Sequence, residues 1–415
     1  MLQGTEGEAA RFRRGKFLTS AGFLLCVLPA SPALAQSIDF DLHGYAEGIL
    51  ADTPETRSPS DGGLGKVRWG GTGTSGRVDP EISALLLEGT ASLPFDLHAA
   101  ADIRYDPKQK SAVDLLDASL QWRPPASGAW SWSAKIGAFF PPFGLENQDI
   151  GWSSPWTLTY SALDSWIGEE LRTIGGEGTV RWRGEEDTFA ITGSVFGWND
   201  PAGVLLADRG WDLTSRSLGL YDHQREPDIT AALFGNRPPY YTPEFNEIDN
   251  KPGWYAGLSW DRPGIGHVQL YRYDNAASPA ERNNVYSWRT RFWDLGYTRG
   301  FGPFYVIAEG MTGDTSISPD GFGPFVTDFH AAYLLGGWTH DAWRLVLRVE
   351  QFGTSGQFSE RGRAVTAALT WMPEDWLRLT AEIVTVDSVR SERALTGQSP
   401  HAIETEPQLG VRLSF

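Results

Sequence analysis

Cysteine and lysine are scarce in this sequence, and long apolar runs are confined to its start. The single cysteine, Cys26, lies in an N-terminal segment that export would remove, so a disulfide framework is excluded from the rest of the chain. Beyond that segment no apolar stretch reaches the length of a membrane-spanning helix. The mean hydropathy of −0.31 is that of a soluble protein. A membrane β-barrel has a similarly low value, because only alternate residues of each strand face lipid.

The first 35 residues are typical of a signal peptide. A basic segment, an apolar run at 17–28 and a small-x-small sequence at 33–35 follow one another in the order that precedes signal cleavage. We therefore predict a signal peptide at 1–35, cleaved after Ala35, and a mature domain at 36–415. The leader carries four bases and two acids, so the net charge of −17 becomes −19 in the mature chain.

The acidic balance and the scattered histidines argue against two classes of function. A nucleic-acid partner requires basic patches, and a chain with 52 acidic and 35 basic residues does not favour them. The seven histidines form no HExxH pattern, and the sequence contains no GxSxG. We predict no nucleic-acid partner, no enzymatic activity, no metal and no cofactor.

From residue 38 onwards the sequence repeats one pattern: a run of alternating residues, a short link, a second run and a longer link. Alternation predicts strands with one apolar face. Short and long links in turn are typical of outer-membrane barrels, which have short periplasmic turns and long extracellular loops. The predicted fold class is therefore all-β, a transmembrane antiparallel β-barrel. Sixteen strands are predicted near 38–50, 82–93, 96–105, 113–123, 130–139, 171–183, 188–198, 253–261, 266–274, 287–298, 304–311, 329–339, 343–352, 363–372, 377–387 and 406–415.

Aromatic residues recur where the predicted strands meet the short links. Aromatics at one level around a barrel form an interfacial girdle. A soluble β-sandwich would have no reason to sort its links and aromatics in this way. The aromatics concerned are Trp122, Trp130, Trp182, Phe189, Trp260, Phe304, Trp338, Trp343 and Trp371.

Two long links stand out, 140–170 and 199–252. We predict that 199–252 is an extracellular loop that either caps the mouth of the barrel or folds inward too. The strand before 140–170 breaks at Pro141–Pro142, since proline has no N–H for a sheet ladder. The loop contains Trp152, Trp156 and Trp166, which a solvated linker would not carry. We predict that 140–170 folds into the barrel and narrows its lumen. A surface loop with a small core of its own is the alternative.

Alternation also predicts which charges face the lumen. A charge that faces lipid costs roughly 2–4 kcal/mol near the midplane, whereas in a water-filled interior it costs little. Acids on early strands and arginines on late strands predict an electric field across the pore, and rings of charge are how pores select ions. The predicted constriction and pore residues are Glu146, Asp149, Asp164, Glu169, Glu170, Arg172, Arg289, Arg291, Arg344, Arg348, Arg378, Arg412, Asp41, Glu47, Glu88 and Asp102; His43, Asp117, Lys135, Arg181 and Arg183 are predicted to face the lumen as well. For the loop acids, a solvated loop face or calcium contacts are the alternative.

Two stretches resemble known proteins. The final strand places Leu409, Val411, Leu413 and Phe415 on one face and stops on phenylalanine, which is similar to the assembly signal of Gram-negative outer-membrane proteins. The sequence KIGAFFPPFGLEN at 135–147 resembles a segment of the porin O/P (phosphate-selective porin) family. The matching residues are Gly137, Phe139, Pro142, Phe143, Gly144, Leu145 and Glu146.

This resemblance implies a homotrimeric porin of the outer membrane whose third outer loop lies inside the barrel. Lipid and lipopolysaccharide would surround it, and the barrel-assembly machinery would recognise the strand that ends at Phe415. One difference is important. Phosphate-selective members line the pore with lysine and arginine, whereas this chain has six lysines and an acidic 140–170 loop. Phosphate selectivity is therefore not carried over.

Together these patterns predict a passive diffusion channel for small hydrophilic solutes or ions, with a mild cation preference. A substrate-selective channel for anions, phosphate or sugars is one alternative. A plugged outer-membrane barrel with a structural or enzymatic role is another. A soluble sugar-binding β-protein is not favoured, because it explains neither the sorted links nor the terminal phenylalanine.

Overall fold

Sixteen antiparallel strands close into one barrel in the computed structural model, which describes residues 38–229, 241–278, 280–282, 285–319 and 323–415. Each strand pairs with the next one along the chain, and the last pairs with the first. The predicted fold class and all sixteen predicted strands are confirmed. In chain order the barrel strands are β1 (Asp39–Asp52), β2 (Val78–Leu93), β3 (Leu97–Tyr105), β4 (Val113–Trp122), β5 (Trp130–Phe139), β6 (Thr173–Arg183), β7 (Thr188–Gly197), β8 (Gly253–Arg262), β9 (Gly266–Asp274), β10 (Arg289–Phe301), β11 (Phe304–Ile317), β12 (Phe325–His340), β13 (Trp343–Ser355), β14 (Glu360–Glu374), β15 (Leu377–Arg390) and β16 (His401–Ser414).

Strands β16 and β1 close the barrel. Their antiparallel ladder runs from the pair Tyr45–Ser414 to the pair Ala51–Gln408. Beyond it the amide of Phe415 donates to the carbonyl of Gly44 at 3.0 Å, and the amide of Gly44 donates back at 3.1 Å. Across the described residues every barrel strand is therefore paired on both sides, which removes the edges that promote aggregation.

Several late strands extend further towards the long loops than the alternation predicts. β11 ends at Ile317 rather than near 311, β12 begins at Phe325 rather than near 329, and β16 begins at His401 rather than near 406. These extensions carry polar residues on the outward face as well as the inward face, so the apolar–polar alternation disappears there. The sheet continues regardless, because its ladder depends on backbone hydrogen bonds.

The predicted aromatic girdle lies on the outward face at the short-turn end of the barrel. Trp182 stacks against Phe189 with ring centroids 6.0 Å apart, and Trp343 stacks against Trp371 at 5.9 Å. Further along the strands the outward residues are mainly aliphatic and exposed, for example Leu347. An aromatic belt beside an apolar band is the outer surface expected of a transmembrane barrel.

The helices of the described residues lie in loops. Helix α1 (Ala162–Glu170) belongs to the 140–172 loop, and helix α2 (Val204–Asp208) belongs to the next long loop. Among the described residues no helix is both long enough and apolar enough to cross a membrane. The remaining short elements are 3-10 helices at Pro59–Asp61, Ile150–Trp152 and Ser391–Thr396, and two-residue strands that pair Gln224–Arg225 with Tyr241–Thr242 and Glu281–Arg282 with Val285–Tyr286.

The main hydrophobic core lies inside the barrel. Residues 157–172 of the first loop are buried, and so are residues 199–219 of the second apart from Asp208. Loop side chains such as Phe143, Trp166 and Trp211 pack against inward-facing aromatics of the wall in one cluster. The prediction that the 140–170 loop folds inward is confirmed, and the 199–252 loop contributes buried residues beside it.

Candidate functional site in the lumen

The loop is held in the lumen by acids of the barrel wall. Inward-facing glutamates on β11, β13 and β15 accept hydrogen bonds from loop backbone amides, which have no ladder partner in this irregular segment. Because each carboxylate has two oxygens, one glutamate can receive two consecutive amides. The acceptors are Glu309 for the amides of 144 and 145 at 2.9 and 2.8 Å, Glu350 for the amide of 162 at 2.7 Å, and Glu382 for the amides of 158 and 159 at 2.6 and 2.9 Å.

One loop acid, Glu146, binds an arginine of the opposite wall. The Nη1 of Arg348 on β13 lies 2.7 Å from its Oε1, and both side chains are fully buried. The same carboxylate accepts hydrogen bonds from the Thr157 hydroxyl at 2.5 Å and from the Ser161 amide at 2.9 Å. A buried ion pair whose remaining donors and acceptors are satisfied fixes the relative position of the two segments that it joins. Here it fixes the position of the loop against the wall.

Aromatic packing fills the lumen on the side of β7–β12. Phe143 makes edge-on contacts with Phe292 at 5.3 Å and with Tyr273 at 6.2 Å between ring centroids. Trp166 of α1 packs on Phe292 from the other side at 5.5 Å. Close-packed rings leave little room for water, so a passage through this side is excluded.

A polar opening of about 290 Å³ remains on the other side of the loop, against β2–β5. Its wall carries three carboxylates, those of Glu88, Asp102 and Asp117, and the ammonium of Lys135. The loop faces this wall with Asp149 and other residues of the 147–152 segment. The opening is therefore off-centre, and its charged lining residues are four acids and one base.

The three wall carboxylates form a row across neighbouring strands. Glu88 on β2 is paired with Asp102 on β3, and Asp102 is paired with Asp117 on β4. A register shift just beyond Asp102 leaves Leu116 unpaired, and the resulting bulge directs Asp117 inward. Asp102 is only 5% exposed, and its Oδ1 has no hydrogen-bond partner among the described residues. Directly opposed like charges destabilise a sheet, so this acidic row (Glu88, Asp102, Asp117) favours a cation beside it.

Arginines on the late strands meet the loop at Asp149. The carboxylate of Asp149 lies 3.0 Å from Arg378 and 3.5 Å from Arg412. Arg412 also binds Glu47 at 2.7 Å. Arg344 donates to the carbonyl of Pro155. Each of these arginines thus has an acceptor, whereas no arginine of the described residues forms an ion pair with the acidic row.

The other predicted loop acids are buried away from the opening. Asp164 accepts a hydrogen bond from the Ser161 hydroxyl at 2.6 Å at the start of α1. Burial raises its pKa well above the usual value, and the neighbouring carboxylates of Glu309 and Glu146 add to the shift. Glu169 forms an ion pair with Arg209.

Glu170 and Arg172 connect the first loop to the second. Glu170 accepts the amides of Gly203 at 3.0 Å and Leu205 at 2.9 Å, at the start of α2. Burial raises the pKa of Glu170 to about 7. Arg172 lies over the ring of Phe140 at 3.4 Å and donates to a carbonyl of the second loop; burial lowers the pKa of Arg172 to about 9.

Two predicted lumen residues face the other way. On β10 the inward positions are Thr290, Phe292 and Asp294, which are fully buried, so Arg289 and Arg291 point outward. Their partners are outward acids, since Arg291 binds Asp314 at 2.9 Å and Arg289 binds Asp274 at 3.3 Å. The prediction that Arg289 and Arg291 line the lumen is wrong, because Thr290 and Phe292 take the inward positions at the loop end of β10 and contact the loops.

Asp41 lies near the turn end of β1, on the same strand face as the buried Glu47. Sequence analysis did not single out the wall glutamates that hold the loop. Their signal was present, because Glu309, Glu350 and Glu382 all occupy inward positions of strands whose outward positions are apolar from the girdle up to that level. It also missed the aromatic filling, since inward tyrosines and phenylalanines look like outward ones when the partner loop is unknown.

The barrel is similar to solved outer-membrane proteins. The outer membrane channel DcaP of Acinetobacter baumannii superposes with a TM-score of 0.54 at 11% identity, over 93% of this chain and 99% of that one. OmpT, an outer membrane protein of Vibrio cholerae in a trimer form, gives 0.51 at 10% identity over 91% and 100%. OmpF of Salmonella typhi in complex with daunomycin gives 0.51 at 11% identity over 91% and 97%.

No protein-family model matches the sequence, and no curated protein matches it. At about 10% identity the structural likeness is one of fold. The chain thus has the closed barrel of these Gram-negative outer-membrane proteins.

Proposed function

We propose that this chain is a porin-type channel of the outer membrane, through which small hydrophilic solutes or ions diffuse passively. The observation that carries this proposal is the polar opening between the acidic row and Asp149, in a barrel whose outward face is apolar. Ionisable groups inside a membrane protein mark a hydrated path, because charge is costly away from water. No catalytic step is proposed, since the lumen of the described residues serves to hold the loop and to line the opening.

The opening favours cations. Glu88, Asp102 and Asp117 share the opening with one basic lining residue, Lys135, which lies 3.8 Å from Glu177 on the neighbouring strand. The arginines of the far wall are already engaged by Asp149 and other acceptors. Side-chain charge at the narrowest point sets the selectivity of a pore, so the fixed charge that remains there is negative. Asp149 is the loop acid that contacts the solute. The buried acids hold the loops in the lumen; they are Glu146, Asp164, Glu169 and Glu170.

Location and assembly belong to the same proposal. The apolar outward band and the aromatic girdle fit an outer-membrane position. The predicted signal peptide, cleaved after Ala35, lies outside the described residues. The strand that ends at Phe415 closes the barrel and would present the assembly signal to the barrel-assembly machinery. A homotrimer is supported by the trimer form of the similar Vibrio cholerae structure.

Conductance of the detergent-folded protein in a planar bilayer tests the proposal. We expect stepwise openings, and a reversal potential in a KCl gradient whose sign corresponds to cation preference. Glu88→Gln with Asp102→Asn and Asp117→Asn should move the reversal potential towards zero. Glu186→Gln, at an exposed short turn, is the matched control and should leave it unchanged. Openings with anion preference, or an unchanged potential in the triple variant, would refute the role of the acidic row.

A plugged barrel is the second candidate, and the aromatic cluster favours it. Phe143, Trp166 and Trp211 fill the lumen along β7–β12 with close packing. A barrel that is folded, as judged by heat-modifiable migration in gels, yet gives no conductance would establish this second candidate. It would then have a structural role instead of transport.

A further inference from the structure

The outward face of the barrel carries a polar cleft near the loop ends of β12–β16. Its volume is about 600 Å³. We call it the rim cleft. Its polar lining residues are His330, Gln351, Arg361, Arg363, Asp387 and His401.

The register of the strands places these residues in two adjacent rows. In the first row Gly353 is paired with both His330 and Arg361. A Cβ on Gly353 would lie 2.9 Å from the His330 ring, so the ring covers the glycine. No side chain at position 353 therefore separates His330 from Arg361. In the second row Arg363 is paired with Gln351 and with Asp387.

The rim cleft lies at the boundary of the apolar band. Below it the paired outward residues are apolar, first Val349 with Val365 and later Leu345 with Leu369, down to the girdle pair of Trp343 and Trp371. Arg361 precedes Trp371 by ten residues, which is about 33 Å along a strand, or about 25 Å along the axis of a barrel whose strands tilt by about 40°. Since the apolar band of such barrels is about 25 Å tall, the cleft lies at headgroup level on the loop side.

The two arginines of the cleft are free. Among the described residues neither Arg361 nor Arg363 has an ion-pair or hydrogen-bond partner. Several other outward arginines are paired, for example Arg291 with Asp314 at 2.9 Å. The single acid of the cleft, Asp387, already holds His401 at 2.7 Å.

We infer that the rim cleft binds the phosphorylated sugar headgroup of an outer-leaflet lipid. Two neighbouring guanidinium groups match phosphate oxygens through paired, charge-assisted hydrogen bonds. Gln351 and Asp387 offer acceptors for sugar hydroxyl groups in the same cleft. The cleft opens outward from the barrel and away from the lumen, so its ligand arrives from the lipid layer instead of from the solute path. This site is independent of conduction.

Native mass spectrometry of the full-length protein in detergent tests the inference with three probes: diphosphorylated lipid A, lipid A with both phosphates removed, and inorganic phosphate. We expect one tightly bound diphosphorylated lipid on the unmodified protein. Arg361→Gln with Arg363→Gln should weaken its binding about a hundredfold, since the removal of each charge-assisted hydrogen bond weakens binding about tenfold. The charge-matched control is Arg272→Gln with Arg299→Gln, two outward arginines that lie over aromatic rings outside the cleft; it should bind as the unmodified protein does.

Three outcomes would overturn the inference. One is equal loss of binding in the two double variants, which would indicate a general charge effect. Another is equal binding of the lipid without phosphates. The third is displacement of the lipid by inorganic phosphate at equal concentration, which would make the cleft a site for free phosphate. Heat-modifiable migration confirms folding, and if the double glutamine variant does not fold, the single Arg363→Gln replaces it with an expected loss of about tenfold.

Discussion

Glu146 of the lumen loop and Arg348 of β13 form a fully buried ion pair, with Oε1 and Nη1 2.7 Å apart. Arg348 also binds Glu350 at 2.9 Å and donates to the carbonyls of Thr159 and Tyr160. One guanidinium therefore joins the beginning of the loop, its middle and the wall. The loop keeps its place in the lumen through this arrangement, which also determines where the opening is.

Loss of Arg348 should destabilise the barrel strongly. Arg348→Met leaves two buried carboxylates without their base, and removal of one partner of a buried pair costs about 3–5 kcal/mol. Chemical unfolding in detergent measures the loss. The control is Arg262→Met, which breaks the exposed pair with Glu186 at 2.6 Å and should cost about 0–1 kcal/mol. Equal losses in the two variants would contradict the anchoring role.

Gly144 should tolerate no side chain. Its φ is +87°, and a Cβ there would lie 2.7 Å from the Trp152 ring and 2.9 Å from the Asp164 carboxylate. Gly128 also has a positive φ, of +63°, but a Cβ there meets nothing within 4 Å. Backbone strain of about 1–2 kcal/mol is common to both sites, so Gly144→Ala should cost about 1–3 kcal/mol more than Gly128→Ala because of crowding. Equal losses of unfolding free energy in the two variants would show that backbone strain alone, without crowding, accounts for the glycine at position 144.

Asp164 should make stability fall as pH rises. Burial raises its pKa well above the usual value, so the folded state keeps a proton that the unfolded state releases above about pH 4. The folded state then binds more protons, and the free energy of unfolding decreases with rising pH until the folded-state pKa is reached. Asp164→Asn removes this dependence. We expect equal stability of variant and unmodified protein near pH 4 and a more stable variant at pH 8.

Unfolding curves at several pH values check this sign. The same difference in unfolding free energy between variant and unmodified protein at every pH would contradict it. A difference that does not change with pH arises from packing and not from proton binding.

The strands of this barrel are predictable from sequence, because the alternation within each strand shows which of its faces is apolar. β5 ends where the alternation predicts, since its apolar outward residues continue to Ala138, beside the last ladder pair. β12 and β16 begin earlier than predicted, since polar outward residues such as Asp328 and His401 interrupt the apolar outward face beside the loops. Polar outward residues at these strand ends thus both obscure the alternation and line the rim cleft.

The loop contacts are less predictable. That 140–170 enters the lumen follows from its aromatics and its proline break. That Glu146 binds Arg348, and that Glu309, Glu350 and Glu382 receive loop amides, depends on a register between segments more than 150 residues apart in several cases. Composition does not specify such a register. The composition of the loop suggests a line of exposed carboxylates. The fold instead places most of them in buried contacts and leaves Asp149 at the opening.

Site-directed blocking is the most direct test that solutes pass beside the acidic row. The described residues contain no cysteine, so one introduced thiol reacts without background. Ser119 lines the opening, whereas Ser194 faces the lumen on β7, at the filled side, and is buried. In single-channel recordings a charged thiol reagent should reduce the current of Ser119→Cys in discrete steps and leave that of Ser194→Cys unchanged. An unchanged current in Ser119→Cys, or a block in Ser194→Cys alone, would contradict the off-centre passage.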